Sequence, residues 1–282
     1  MAGQTREITM DNKITCIYHG NCADGFGAAW VVHNALGSTH DITFHAANYG
    51  EAPPDVTDTE VIIVDFSYPL DVMREMVAQC TSFTILDHHV TAREAIETLT
   101  AENPKAGGNF DLNRSGAMLA WDWFATDRKV PQLLKHIQDR DLWKFDLVRT
   151  KNVMAALHSY DFDFDVWDHL MTTDVNDLAS QGVHIRRQHD RHAMTLAQGA
   201  ARISIHGHSV LAVNAPPFCS SDVGHILCQG EPFGATYHDV GEVRTWSLRS
   251  SHCGVDVSEI AKHRGGGGHK HAAGFTTENN NG

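Results

Sequence analysis

The chain has 282 residues, of which 42% are hydrophobic and 20% charged, as in a globular protein with one large domain or two ordinary ones. Its net charge of −13 excludes a protein that wraps long duplex DNA, because such a protein needs a basic surface. No apolar run reaches the roughly 18 residues of a membrane helix, and the first residues lack the apolar core of a signal peptide. We therefore expect a cytoplasmic protein with no membrane partner and with reduced cysteines, since none of the six is paired as CxxC.

The first half of the chain alternates between segments typical of strands and of helices. A Thr-x-x-Glu pattern from Thr91 to Glu94 predicts a capping box at the start of one helix. Strands that alternate with helices predict a parallel sheet with helices on both faces, connected by right-handed crossovers. The predicted strands are 13–19, 42–46, 61–66 and 83–86, and the predicted helices are 28–36, 69–79 and one from about residue 91.

The second half is helical at first and then rich in short strands. Residues 160–166 alternate like a strand, but their acidic residues and their place between helices argue against that assignment. A long polar helix over 177–200 separates the two patterns. We predict a first domain over 1–175, a connecting helix over 176–201 and a smaller α+β domain over 202–282. The predicted helices are 116–125, 131–139, 152–158, 221–228 and 255–262, and the later strands are 203–206, 210–214, 233–238 and 243–249.

Three predicted strands of the first domain end in residues that bind metals or phosphates. The first ends at His19, with Asp24 in the following turn, another reaches Asp65, and the last ends in the run Asp87–His89. A capping role explains any one of these residues, but the carboxyl ends of parallel strands meet at one edge of a sheet. Imidazoles and carboxylates without paired thiolates suit Mn²⁺, Mg²⁺, Fe²⁺ or Zn²⁺ in a hydrolytic site, and such a set could hold two ions.

A further acid lies in the segment 137–143, IQDRDLW. Two acids that flank an arginine beside a tryptophan are also typical of a salt-bridged helix end. A site for two metal ions needs one more acid, and Asp139 directly follows the apolar run of the helix. We therefore predict Asp139 as the additional ligand.

Near the end of the chain, Arg249 and Ser250 precede a run of four glycines, 265–268, and His269 directly follows this run. A flexible linker is the alternative interpretation, but linkers seldom lie between a helix and an apolar segment. Consecutive glycines let backbone N–H groups converge on an anion, with His269 and Arg249 in contact with phosphate oxygens. This segment therefore predicts an anion site.

The motifs HGNCADGFGAA, VDFS, LDHH, QDRDLW and GGGGHKHAAGF follow one another in this order. Together they resemble the DHH phosphoesterase superfamily, in its branch with a C-terminal DHHA1 domain, which includes oligoribonuclease-like and RecJ-like phosphodiesterases. The resemblance covers about residues 13–276. It implies an α/β DHH domain with a parallel sheet, a smaller α+β DHHA1 domain and an active site in the cleft between them.

The resemblance also implies two divalent cations, usually Mn²⁺, and a role for each matching residue. Asp65 would bridge the two ions and Asp87 would support the site. His89 would face the metal or the substrate. The implied metal ligands are His19, Asp24, Asp65, His88 and Asp139, the implied catalytic residues are Asp65, Asp87, His88 and His89, and the implied substrate contacts are Arg249, Ser250, Gly267, Gly268 and His269.

The first motif departs from the family pattern, because Cys22 stands where Asp-x-Asp-Gly has its first acid. Cys22 could bind metal as a thiolate, or Asn21 could provide a neutral oxygen ligand. The third interpretation is that neither residue binds, which leaves one metal ion a ligand short. Every other motif is intact, and we therefore expect a working site.

The expected activity is hydrolysis of short oligonucleotides or dinucleotides by in-line attack of a metal-bridging hydroxide. A nucleobase would stack on an aromatic ring such as Trp143 or Phe275. The alternatives are a hydrolase of cyclic dinucleotides or of other small phosphoesters or phosphoanhydrides, and a non-catalytic nucleotide-binding module. We expect no stable binding of duplex DNA, and the sequence leaves the oligomeric state open, a homodimer included.

Overall fold

The computed structural model describes residues 13–279, and within them the chain divides into two compact units. The first unit contains the described residues up to His88 together with Ala92–Val183. The second contains His89–Thr91 and the described residues from His184 onward. The boundary at 183/184 falls inside the connecting helix predicted over 176–201. Among residues 13–279, no helix is both long enough and apolar enough to cross a membrane.

A five-stranded parallel sheet forms the centre of the first unit, which confirms the predicted sheet. The central strands are almost continuously apolar because helices cover both faces. In sheet order 2-1-3-4-5, the strands are β1 (Lys13–His19), β2 (Asp41–Ala47), β3 (Glu60–Val64), β4 (Ser82–Asp87) and β5 (Ala106–Phe110).

Two hydrophobic cores lie on the two faces of this sheet. The larger contains Trp30, Leu134 and Trp167, and the smaller contains Met73 and Ile96. The helices of the larger core are α1 (Ala23–Leu36), α4 (Gly116–Phe124), α5 (Gln132–Asp141), α6 (Thr150–Leu157) and α7 (Phe164–Thr172), and those of the smaller are α2 (Leu70–Gln79) and α3 (Arg93–Glu102).

Three local features of the first unit differ from the sequence-based prediction. The edge strand β5 was not predicted, since its sequence AGGNF is short and contains two glycines. The helix α7 was also missed, and it begins inside the alternating segment because the Asp163 side chain accepts a hydrogen bond from the Val166 N–H at 3.0 Å. The capping box was wrong: α3 has no side-chain cap, and the Thr91 hydroxyl instead accepts a 3.4 Å hydrogen bond from the Gly268 N–H.

The second unit is an α+β structure, as predicted. Its six-stranded sheet is antiparallel except where β7 pairs with β8. The glycine run ends in a strand and is not a linker. In chain order the elements are α8 (Val175–Gln198), whose residues from His184 belong to this unit, β6 (Ala201–Ile205), β7 (His208–Asn214), α9 (Pro217–Leu227), β8 (Gly234–Val240), β9 (Val243–Arg249), α10 (Val257–Lys262), β10 (Gly267–His269) and β11 (Ala272–Glu278).

Candidate metal centre

The carboxyl edge of the parallel sheet carries the candidate site. The strand order reverses between β1 and β3, so the connections that leave these two strands diverge and open a crevice. His19 is the last residue of β1, Asp65 directly follows β3, and His88 directly follows β4. Three adjacent strands therefore deliver potential ligands to the place where open α/β sheets bind theirs.

Asp65 lies at the centre of this group of side chains. One carboxylate oxygen is 3.0 Å from Nε2 of His88, and the other is 3.6 Å from Nδ1 of His19. The residue is buried and has a φ of +57°, a conformation that costs energy for residues other than glycine. A Cβ atom on Gly116 would lie only 2.3 Å from the Asp65 Cβ. The start of α4 therefore packs directly against Asp65.

Asp24 is held by the same end of α4. Its carboxylate accepts hydrogen bonds from the N–H groups of Gly116 at 2.5 Å and Ala117 at 3.2 Å. First-turn N–H groups have no partner inside the helix and lie at the positive end of its dipole. Oδ2 of Asp24 is also 3.9 Å from Nε2 of His88. The sequence analysis missed this role of Gly116, although Ser115 before it is a typical N-cap residue.

Asp87 fixes the backbone that carries His88. Its Oδ1 accepts a hydrogen bond from the His88 N–H at 2.7 Å, and its Oδ2 accepts one from the Ser67 hydroxyl at 2.5 Å. Asp87 is fully buried. Ser67, in the VDFS motif, was not singled out from the sequence.

The acid that reaches the group from α5 is Asp141, whereas the sequence analysis selected Asp139. The Asp139 carboxylate accepts hydrogen bonds from the Thr150 hydroxyl at 2.5 Å and from two backbone N–H groups after α5, at 2.8 and 3.2 Å. Asp139 thus stabilises the turn after the helix. Oδ2 of Asp141 lies 3.5 Å from Nε2 of His88. Residues two positions apart on a helix point in different directions, so only one of these acids faces His88.

The group concentrates negative charge in a buried place. Burial, and then repulsion from Asp65 and Asp141, raises the pKa of Asp24 well above its usual value. Burial alone would lower the pKa of His88, but attraction to Asp141 and the hydrogen bond with Asp65 raise it well above its usual value. Buried like charges destabilise a fold, and such arrangements are typical of functional sites.

Cys22 and the preceding Asn21, which lie where the first motif differs from Asp-x-Asp-Gly, have different surroundings in the structure. Burial would lower the pKa of His19, but hydrogen bonds with Asp65 and Cys22 raise it well above its usual value. Burial raises the pKa of the Cys22 thiol, and its hydrogen bond with His19 offsets part of that increase. Asn21 is exposed and has a φ of +54°. Cys22 is therefore a neighbour of a predicted ligand, and Asn21 is a turn residue at the surface.

The chemistry of these side chains fits a divalent cation. Asp24, Asp65 and His88 are all buried, and each offers one ligand atom within 4.8 Å of the others. Carboxylate oxygen together with imidazole nitrogen suits Mn²⁺, Mg²⁺, Fe²⁺ or Zn²⁺. A bound cation would also offset the repulsion among the buried acids.

The glycine run that was expected to cradle an anion lies in the second unit, where its first two N–H groups form hydrogen bonds within the protein. The N–H groups of Gly265 and Gly266 donate to carbonyls of α10 at 3.0 and 2.9 Å. A Cβ atom on Gly266 would lie 2.0 Å from the Gly274 carbonyl oxygen. These two N–H groups are therefore used within the fold, and close packing alone requires glycine at position 266.

The other predicted substrate contacts also lie in the second unit. The rings of His89 and His269 stack with centroids 4.6 Å apart. The Arg249 guanidinium donates to a serine hydroxyl of α9 at 2.8 Å. Oγ of the buried Ser250 lies 3.0 Å from Nδ1 of His271. Their assignment to the substrate, like that of Gly267 and Gly268, stays a prediction.

A known protein is similar in sequence to most of this chain. No protein-family model matches the chain. An uncharacterized protein of Acanthamoeba polyphaga mimivirus is 29% identical over 293 residues, which cover 94% of this chain and 68% of that protein.

Solved structures with low sequence identity share the fold. The DHH domain of a member of the s1p family of ribosomal proteins matches with a TM-score of 0.56 and 14% identity, over 95% of this chain and 83% of that one. RecJ of Thermus thermophilus, solved with Mn²⁺, matches with a TM-score of 0.53 and 13% identity, over 95% of this chain and 50% of RecJ. The pGpG-specific phosphodiesterase PggH of Vibrio cholerae matches with a TM-score of 0.50 and 13% identity, over 95% of this chain and 94% of PggH. The chain therefore has the α/β fold of the DHH proteins, which confirms at the level of fold the resemblance seen in its motifs.

Proposed function

We propose that the chain is a divalent-metal-dependent phosphodiesterase that hydrolyses short oligonucleotides or dinucleotides. The observation that carries this proposal is the group formed by the buried Asp24, Asp65 and His88 with the half-buried Asp141 at the carboxyl edge of the parallel sheet. Two proteins that share the fold support the substrate class, since one is described as a pGpG-specific phosphodiesterase and the other is RecJ with Mn²⁺. The net charge of −13 also favours a small substrate over a long nucleic acid.

Five side chains would hold two cations, with Mn²⁺ the first candidate. Asp65 would be the central ligand, because its two oxygens approach different histidines, His19 and His88. Asp24 and Asp141 complete the set, and Asp141 takes the place that the sequence analysis gave to Asp139. When bound, the cations would lower the pKa of a water toward about 7 and offset charge on the phosphoryl oxygens.

The rest of the first unit keeps these ligands in position. The Gly116 and Ala117 N–H groups orient the Asp24 carboxylate, and Asp87 fixes the backbone at His88. Ligands that are held by such supporting bonds lose little freedom when a metal binds. Imidazole and guanidinium groups are suitable donors to phosphate oxygens, so the proposed substrate contacts remain His89, Arg249, Ser250, Gly267, Gly268 and His269.

A substrate panel tests this proposal. Linear dinucleotides, cyclic dinucleotides, pAp, pyrophosphate, a 24-mer and bis-p-nitrophenyl phosphate are each incubated with the protein and Mn²⁺, and with the Asp65→Asn variant as control. We expect the wild type to hydrolyse linear dinucleotides fastest and the variant to be inactive. Faster turnover of cyclic dinucleotides or of pyrophosphate would show that the substrates are cyclic dinucleotides or phosphoanhydrides and not linear dinucleotides. No metal-dependent turnover of any compound would instead leave the non-catalytic nucleotide-binding module.

A further inference from the structure

A row of aromatic rings crosses the sheet of the second unit. Tyr237 on β8, Trp246 on β9 and Phe275 on β11 stand opposite one another in register. The ring centroids of Tyr237 and Trp246 are 5.0 Å apart, and those of Trp246 and Phe275 are 6.1 Å apart with planes 20° from parallel. None of these three rings belongs to the candidate metal centre of the first unit.

A cavity of about 250 Å³ adjoins this row. It is lined by residues 203–205 of β6, by Trp246 and Phe275, and by Arg264 and Thr277. The Trp246 indole N–H donates to the Thr277 hydroxyl at 3.1 Å, so the polar edge of the ring is satisfied within the protein. Phe275 is buried and Trp246 is half-buried, so Trp246 provides the aromatic surface on which a flat ligand could stack.

The cavity also has a cationic side. Arg264 is exposed, with its guanidinium carbon 5.7 Å from the centre of the Phe275 ring. A second arginine over the aromatic row, Arg244, is neutralised by Asp239 through hydrogen bonds of 2.7 and 2.8 Å. Arg264 has no such carboxylate partner among residues 13–279.

Arg264 follows another exposed cationic residue, Lys262, in the chain. His263 lies between them in sequence and is also exposed. The His263 ring stacks on that of His206, with centroids 5.2 Å apart. A basic edge of this kind, in a chain of net charge −13, is complementary to an anionic ligand.

We propose that this cavity binds a nucleotide, with its base stacked on Trp246 and its phosphate held by Arg264. Every base has a π-face that an aromatic ring can stack on, and a guanidinium group is a strong donor to phosphate oxygens. An inorganic anion would not stack on Trp246, and an uncharged aromatic ligand would not form an ion pair with Arg264. The ligand is a free nucleotide or one unit of a single strand. The site lies within the second unit, and the inference does not depend on the proposed hydrolysis.

Calorimetric titration in EDTA tests the proposal without turnover. AMP should bind about tenfold more tightly than ribose 5-phosphate, because only AMP carries a base that can stack. Arg264→Ala should weaken AMP binding about tenfold, because a charged hydrogen-bond donor is lost. The matched control is Arg191→Ala, which removes an exposed arginine of α8 and should leave AMP binding unchanged. A 5′-phosphorylated tetranucleotide distinguishes the sources: tighter binding than AMP indicates a single strand, and equal binding indicates a free nucleotide.

Two variants of Trp246 complete the test. Trp246→Phe keeps a stacking surface and should retain AMP binding, whereas Trp246→Leu should lose about tenfold. Circular dichroism checks the fold of both, and if the leucine variant does not fold, Arg264→Ala alone decides. Equal affinity for AMP and ribose 5-phosphate, or an Arg264→Ala variant with wild-type affinity, overturns the proposal.

Discussion

The two units differ in how far packing explains their predicted site residues. In the first unit, Asp24, Asp65 and His88 are 2%, 1% and 1% exposed and are held close together despite their charge. In the second unit, Gly266 lies where a side chain would collide with the neighbouring strand. Packing explains the glycine completely, but it does not explain buried acids that repel one another. The buried acids therefore indicate a functional site, whereas Gly266 needs no explanation beyond packing.

The largest expected effect tests whether the buried charge serves function and not stability. Asp65→Asn keeps a residue type that tolerates a positive φ but removes the central charge. Loss of a supporting residue alone costs metal sites up to about a hundredfold, so kcat in Mn²⁺ should fall by more than that. The melting temperature in EDTA should change little, because the repulsion with Asp24 and the attraction to His88 are removed together. Wild-type turnover by this variant would contradict the metal assignment.

The second prediction separates the two acids of α5. Asp141→Asn should lower Mn²⁺ affinity and kcat by at least about tenfold with little change in melting temperature. Asp139→Asn should instead cost about 1–3 kcal/mol of folding free energy, because its carboxylate accepts three hydrogen bonds. Calorimetry with Mn²⁺ and urea unfolding measure the two effects. If Asp139→Asn abolished metal binding in a stable protein, Asp139 would be the metal ligand, as predicted from the sequence, and Asp141 would not.

The third prediction concerns the close packing of α4 on the site. Gly116→Ala would place a Cβ atom 2.3 Å from that of Asp65, so the helix and the Asp24 carboxylate that it holds must move. We expect about a tenfold loss of Mn²⁺ affinity, the size of a supporting-residue effect. Gly107→Ala on β5 is the matched control, because no atom lies within 4 Å of its added Cβ. Equal metal affinity of the two variants would show that α4 does not position the ligands.

The fourth prediction tests whether packing explains the glycine at position 266. Gly266→Ala should destabilise the protein by about 1–3 kcal/mol, because its Cβ would lie 2.0 Å from the Gly274 carbonyl oxygen. Gly265→Ala has open space and only its φ of +76° against it, so its cost should be smaller, about 1 kcal/mol. Urea unfolding measures both. A stable Gly266→Ala variant that lost only substrate binding would restore the anion cradle predicted from the sequence.

The smallest expected effect concerns Cys22. If the thiol only contacts His19, Cys22→Ser should change Mn²⁺ affinity by less than about threefold, as expected for a neutral neighbour. Cys22→Asp restores the usual acid of the family motif and should tighten binding. Metal stoichiometry and affinity are measured for both. A Cys22→Ser protein that bound one ion fewer would show that sulfur is a ligand.

The sequence alone determined the parallel sheet of the first unit and the residues at the ends of its strands. Apolar runs of strand length alternate with helices, and parallel strands all present their carboxyl ends at the same edge. His19, Asp65 and His88 could therefore be grouped before any coordinates were known. Their contacts arise because β1, β3 and β4 are neighbours in the sheet.

Only the tertiary structure decided which acid of α5 faces His88 and what the glycines of the second unit do. The rotation of α5 about its axis is set by packing of Leu134 and Ile137 in the larger core, and that rotation directs Asp141 toward His88. Gly266 is required by a carbonyl that lies close in space but eight residues away in sequence. Local sequence patterns report periodicity and strand ends, whereas the direction of a side chain and the clearance around a backbone atom depend on contacts between distant segments.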